Sequence, residues 1–243
     1  MKANRLLEVC VDTIKGARIA AENGADRIEL CAALSEGGLT PSSGMMSAAS
    51  GLSVPVYAMI RPRSGDFRYS DVEKELMLKD IRAAEQNGMK GVVIGSVTDA
   101  DRLDTAFLKP ALQGTALNAT LHRAFDTLSD FKTAIDDAVS VGFERVLTSG
   151  HQNTADEGCT VIREAVRYAT GRISIMAGSG VTPANAARIL KETGVEELHA
   201  SCSMRQCALP ASREVQLGFA SATGQKLTDA RLVRALRQAV DVR

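Results

Sequence analysis

Two Glu-x-Cys pairs stand close to the start of the chain. Glu8 and Cys10 lie in LLEVCV, residues 6–11, and Glu29 and Cys31 lie in RIELC, residues 27–31. Side chains of a strand alternate between its two faces, so each Glu shares a face with its Cys. Leu7, Val9 and Val11, and likewise Ile28 and Leu30, take the opposite, wholly apolar face. Two carboxyls brought together push their pKa values apart, which is how a general acid/base pair is made. Two thiolates with an imidazole nearby make a soft site for Cu(I) or Zn²⁺. Both pairs also have structural readings. Glu8 and Glu29 could be neutralised by Arg27 or Arg61, and a free Cys is often no more than a small buried apolar group.

Further chemistry-bearing residues fall just past other apolar runs. VYAMIR, 56–61, ends in Arg61 and continues as RPRSGDFRY, 61–69, so Arg61 and Arg63 offer forks for a carboxylate or phosphate, with Asp66 and Tyr69 as polar neighbours. ATLHR, 119–123, puts Thr120 and His122 on one face, and Asp126 stands in reach to orient the imidazole. A histidine with an ordinary pKa titrates in the range useful for proton transfer. In ELHAS, 197–201, Glu197, His199 and Ser201 share a face. Glu8, Glu29 and His122 are therefore the candidate catalytic groups. Arg61, Arg63, Asp66 and His199 are the candidate substrate-binding groups, and Cys10 and Cys31 the candidate metal ligands.

What positions these residues is a repeat. Four times a helical pattern ends in Gly and an apolar run follows, at Gly24, Gly88, Gly142 and Gly194. Each of these glycines is placed for the left-handed conformation that closes a helix. Four more apolar runs, 6–11, 56–61, 119–123 and 174–178, fall between them and bring the strand total to eight. Helical patterns follow nearly all, among them 71–88, 131–142, 183–194 and 229–240, the last after a long connection from Cys202 to Thr228. Strand–helix alternation repeated eight times predicts an α/β fold, a single-domain (β/α)8 TIM-type barrel spanning residues 1–243. A doubly wound sheet is the alternative, but no GxGxxG follows the first strand. Such a barrel turns the polar faces inward, towards the carboxyl ends of the strands where barrel sites lie. The loop after Cys31, with Gly37 and Gly38, reads as a rim or lid.

The remaining signals are weaker or negative. MAGSGVTP, 176–183, resembles half of a phosphate cradle, and LTSG, 147–150, is a small polar loop suited to an oxyanion. The 29 basic and 29 acidic residues cancel, Trp is absent and there are three Tyr and six Phe. Nothing there points to a nucleic-acid partner. No signal peptide is expected at the start of the chain, and no apolar stretch of about 18 residues that would span a membrane. Cys10, Cys31, Cys159, Cys202 and Cys207 form no CxxC pair and read as reduced thiols of a cytoplasmic protein.

GADRIELCAALSEGGLTPS, MIRPRSGDFRYS, LHRAFD, RVLTSG and IMAGSGV, taken in order, resemble the CutC family of copper homeostasis proteins. The resemblance runs from LLEVC to ELHAS, about four fifths of the chain, and implies a TIM-type barrel, a cytoplasmic location and a homodimer or higher homo-oligomer. It implies a part in copper tolerance, with Cys10 and Cys31 as the thiols for Cu(I). Cys202 and Cys207 inherit no role from it. Soft thiolates do not account for RPRSGDF or HRAFD. The alternative is an enzyme of lyase or isomerase type acting on a small anionic or polyhydroxy substrate.

Overall fold

The structure is a computed structural model that describes residues 5–206 and 212–241; Cys207 lies outside them. Eight parallel strands close into a barrel in sequence order. They are β1 (Leu6–Val11), β2 (Arg27–Leu30), β3 (Val56–Ile60), β4 (Gly91–Ile94), β5 (Asn118–Leu121), β6 (Arg145–Thr148), β7 (Ser174–Ala177) and β8 (Glu197–Ala200). The helices α1 (Ile14–Glu22), α2 (Ser43–Ala49), α3 (Asp71–Gln86), α4 (Thr105–Gln113), α5 (Phe131–Val141), α6 (Cys159–Ala169) and α7 (Ala186–Thr193) each connect one strand to the next. β1 pairs with both β2 and β8, which closes the ring.

The helices begin and end where side chains can replace missing backbone bonds. Thr13 caps α1, Ser70 and Glu73 form a capping box on α3, and Asp130 accepts from two amides at the start of α5. Gly142 and Gly194 are left-handed C-caps, and Gly24 and Gly88 take positive φ one residue beyond theirs. The apolar core lies between the barrel and this helical ring: Leu7, Val9, Ile28, Leu30, Ile60, Ile94 and Leu121 are almost fully buried in it.

The long connection after β8 is not featureless. It carries β9 (Ser203–Gln206), the four-residue α8 (Arg213–Gln216) and β10 (Gln225–Thr228), and β9 and β10 pair antiparallel. Their residues are mostly polar and half-exposed, so no apolar alternation marks them in the sequence. The ribbon delivers the chain to α9 (Ala230–Asp241), which buries Val233, Leu236 and Val240 against the barrel.

Inside, the barrel departs from the usual filling of branched apolar residues. Its amino-terminal half is a charged floor. Arg27 is 3 % exposed and forms ion pairs with both Glu8 and Glu197, the latter at 2.6 Å. Arg145 donates to Glu197 at 2.9 Å and pairs with Glu144, while Ser174 donates to Glu197 at 2.6 Å. Tyr57 receives both Arg27 and Arg145 against its ring, with guanidinium carbons 5.3 and 5.5 Å from its centre. Two cations among three carboxylates satisfy one another in a place where an unpaired charge would cost several kcal/mol. Arg27→Ala removes the cation that Glu8 and Glu197 share, leaving Glu8 to His199 alone and Glu197 to Arg145 and Ser174. It is expected to destabilise the fold by about 3–5 kcal/mol, measured by urea unfolding, and a loss below about 1 kcal/mol would show that the floor is not a stabilising network.

Candidate functional site in the barrel mouth

Above the floor, β1, β2 and β8 bring the two Glu-x-Cys pairs together with His199. The register sets Glu8 opposite His199 and Cys10 opposite Glu29. His199 Nδ1 lies 2.8 Å from Glu8 Oε1, and its Nε2 lies 3.8 Å from Glu29 Oε2. One ligand atom each from Cys10, Glu29 and His199 falls within 4.8 Å of the others. All three residues are buried. The Cys31 thiol donates to Glu29 Oε2 at 3.5 Å, so it borders this triangle without being a corner of it.

The two carboxyls are driven apart, as their proximity requires, but not into symmetrical roles. Burial pushes Glu8 up, yet Arg27 and His199 outweigh it and hold the carboxyl at about 2. Glu8 is thus paired with Arg27 in the floor, which is the structural alternative to its expected part in proton transfer. Glu29 has no cation in contact of that kind. Burial raises it above the usual carboxylate range, opposed by His199 and reinforced by Glu8. Its Oε1 is buried and has no hydrogen-bond partner. His199 goes the other way: burial disfavours its charge, but Cys10, Glu29 and Glu8 around the ring raise it well above the usual range. Burial and then the Glu29 carboxyl push the Cys31 thiol up strongly.

The loop after β2 closes over this centre. Gly37 and Gly38 both have positive φ, and a side chain at Gly38 would start 3.1 Å from Cys31 Sγ. Arg61 staples the loop in place. Its Nη1 donates to the carbonyls of Glu36 at 2.8 Å and Gly38 at 3.1 Å, and its Nη2 to that of Gly65 at 3.0 Å. Only Nε of this buried guanidinium lacks a partner. Arg63 and Asp66 do not join it. They pair with each other at 3.1 Å on the exposed rim, where Arg63 also meets Glu73.

His122 differs most from expectation. Its Nδ1 accepts from the amide of Ala124 at 3.1 Å, which puts the ring proton on Nε2. That nitrogen is buried without a partner. Burial, followed by the charge of Arg61, lowers the imidazole to about 3, so it stays neutral and does not titrate in the useful range. Asp126 does not orient it. Asp126 accepts from Ser149 N and Oγ, His151 N, Thr148 Oγ1 and Arg123 Nε. The amides of Ser149 and His151 are therefore spent on Asp126, and that of Gly150 on Thr148 Oγ1, which corrects the reading of LTSG as an oxyanion cradle.

Two residues of the mouth, Phe67 and His151, are not singled out by the sequence patterns. Phe67 lies 4.8 Å from the His122 ring and 5.2 Å from the Arg61 guanidinium, and it lines a cleft of about 360 Å³ with Arg123, Asp126 and His151. The one signal for His151 is its rarity: the chain has three histidines, and each lies at or just past the carboxyl end of a barrel strand. In all, five buried side-chain atoms among the described residues have no partner: Glu29 Oε1, Arg61 Nε, Tyr69 OH, His122 Nε2 and His151 Nε2. Each such atom costs about 1–3 kcal/mol, and all five lie on the carboxyl-terminal side of the barrel. Unsatisfied buried groups gathered at the strand ends make this mouth the candidate site.

A family model described as the CutC family matches residues 5–204. The chain belongs to the CutC family. It is 48% identical over 239 residues to a CutC family protein of Sinorhizobium medicae, covering 97% of this chain and 96% of the relative. A CutC family protein of Pasteurella multocida is 42% identical over 240 residues, with coverage of 97% and 98%. The crystal structure of a CutC protein from Streptococcus agalactiae, described as a copper homeostasis protein, superposes with a TM-score of 0.77 at 36% identity, over 81% of this chain and 98% of that one. An aldolase called QR15 shares the fold alone, at a TM-score of 0.63 and 14% identity.

Two of the shifted groups set the response to acid. Glu8, at about 2 against 4.5 unfolded, contributes stability that is present above pH 4.5 and lost as the pH falls towards 2. His122 is at about 3 against 6.5, so the unfolded chain takes up its proton first and stability is lost from 6.5 down to 3. His199, raised, acts oppositely: its share is present below 6.5 and lost as the pH rises through its folded value. Urea unfolding at stepped pH should therefore show a steep loss below pH 4.5. His122→Asn should flatten the part that begins at 6.5. A stability constant from pH 6 to 3 would contradict the assignment of both groups.

Proposed function

We propose that this chain works in copper homeostasis, the role with which the Streptococcus agalactiae structure is described. We further propose that it binds Cu(I) as cargo where Cys10, Glu29 and His199 meet. The observation that carries this reading is the approach of a thiol, an imidazole and a carboxyl to within 4.8 Å of one another on three adjacent strands. Cys31, beside Glu29, supplies a second sulfur, and soft sulfur ligands select Cu(I). Free thiols of this kind suit the reducing cytoplasm. Among the described residues no helix is long and apolar enough to cross a membrane. Val72 and Leu76, one turn apart and exposed on α3, support association with a second copy.

A second reading rests on Glu29. A carboxyl raised by burial, with one bare oxygen and a charged imidazole 3.8 Å from the other, is equipped to give and take a proton beside a carbonyl. That is lyase or isomerase chemistry on a small anionic or polyhydroxy compound.

An anaerobic Cu(I) titration against a competing chelator separates the two. Under the first reading wild type binds stoichiometrically and the Cys10→Ala/Cys31→Ala double variant loses at least about a hundredfold in affinity, or about 2.7 kcal/mol. Equal binding by both proteins would remove the thiols as ligands. Under the second reading the double variant still exchanges solvent protons into small carbonyl compounds, and Glu29→Gln does not.

A further inference from the structure

The mouth has a second set of groups that neither thiols nor proton transfer at Glu29 employs. We infer that Arg61 Nε–H and His122 Nε2–H together bind a small carboxylate at the barrel mouth, beside the ring of Phe67. This rests on the acid–base reading, for which it names the substrate class.

The argument begins with what these two nitrogens can do. An arginine Nε–H only donates. His122 Nε2 also donates, because the other ring nitrogen is occupied in accepting from the amide of Ala124 at 3.1 Å. Both residues are more than nine-tenths buried, at 6 % and 3 % exposed, and neither nitrogen has a partner in the protein. They flank one ring: Phe67 lies 5.2 Å from the guanidinium carbon of Arg61 and 4.8 Å from the centre of the His122 imidazole. The third buried group here is the Tyr69 hydroxyl, which lies beside the Arg61 guanidinium without a well-formed hydrogen bond. Two obligate donors, one of them cationic, call for an anionic acceptor oxygen.

The count of donors favours carboxylate over phosphate. Arg61 already gives Nη1 to Glu36 and Gly38 and Nη2 to Gly65, leaving Nε as its one unpartnered nitrogen. The nearby amides of Ser149, Gly150 and His151 are taken by Asp126 and Thr148, so the loop after β6 offers no nest for three phosphate oxygens. One nitrogen from each of two side chains suits the two oxygens of a carboxylate, or a carbonyl oxygen next to one. A neutral imidazole donating in this way polarises a carbonyl without moving its own proton. His122 is then an electrophilic catalytic residue, and Arg61 combines loop stapling with anion binding.

The test is nitrogen-15 NMR of the histidines in the full chain, titrated with oxalate, pyruvate and inorganic phosphate. The expected result is an Nε2-protonated, neutral His122 from pH 8 to 5 whose Nε2 resonance moves saturably with oxalate and pyruvate. Phosphate should leave it in place. His122→Asn keeps an oxygen to accept from the Ala124 amide, but its own amide donor stops short of the Nε2 position, and it should weaken carboxylate binding about tenfold or more in calorimetry while circular dichroism shows the fold intact. An unmoved Nε2 resonance at saturating carboxylate, equal affinity in His122→Asn, or no binding of either carboxylate would overturn the inference. Saturable binding at His122 without solvent-proton exchange into pyruvate would leave this inference standing and sink the acid–base reading beneath it.

Discussion

Everything inside this barrel depends on one cation placed where barrels normally have none. Arg27 reaches across the floor from β2 to Glu8 on β1 and Glu197 on β8, and Arg145 on β6 holds Glu197 from the other side. Arg27 and His199 hold Glu8 low, and Cys10, Glu29 and Glu8 together raise His199 above it. Glu29, next in line, has the Cys31 thiol and the His199 ring beside one oxygen and no partner at the other. The unusual state of the mouth is inherited upward from the floor, strand by strand. The same residues that stabilise the fold therefore set the protonation of those that would act.

The mouth divides into two halves with different chemistry. On the β1, β2 and β8 side are thiols, a carboxyl and an imidazolium, a mixed set that suits a metal or a moving proton. On the β3, β5 and β6 side are neutral or cationic donors around an aromatic ring. Glu29 and Cys31, stacked on β2 beneath the stapled loop, lie at the border between the halves. Family membership alone does not explain why a copper protein would keep the second half. That half is the reason to test small molecules alongside the ion.

Much of this arrangement is legible in the amino-acid sequence. All eight strands, the helix-closing glycines and the inward turn of Glu8, Cys10, Glu29, Cys31, His122 and His199 follow from period-two alternation and glycine placement, which are local signals. What is not legible depends on distant partners or exact direction. Whether Glu8 or Glu29 is the one neutralised by Arg27 turns on register across β1, β2 and β8, joining residues 170 positions apart. Arg63 looks equivalent to Arg61 in RPRSGDF, but a strand end points them to different places: one under the rim and one out to Asp66 and Glu73. The tautomer of His122 is set by an amide two residues on, in a short turn that no pattern of residue types announces. The polar ribbon of β9 and β10 has no apolar face to betray it.

The stapling of the loop after β2 has a consequence for traffic. A single guanidinium fastens that loop and the loop after β3 into one block over Cys31, and the amide of Arg61 is itself held by Thr40. The open cleft lies instead on the opposite side, between Phe67, Arg123 and His151. A guest entering by this cleft would pass Phe67 and the β5 and β6 loops and leave the loop after β2 undisturbed. Residues at that entrance, Phe67, Arg123 and His151, would then bear on how long a guest stays, alongside those that hold it.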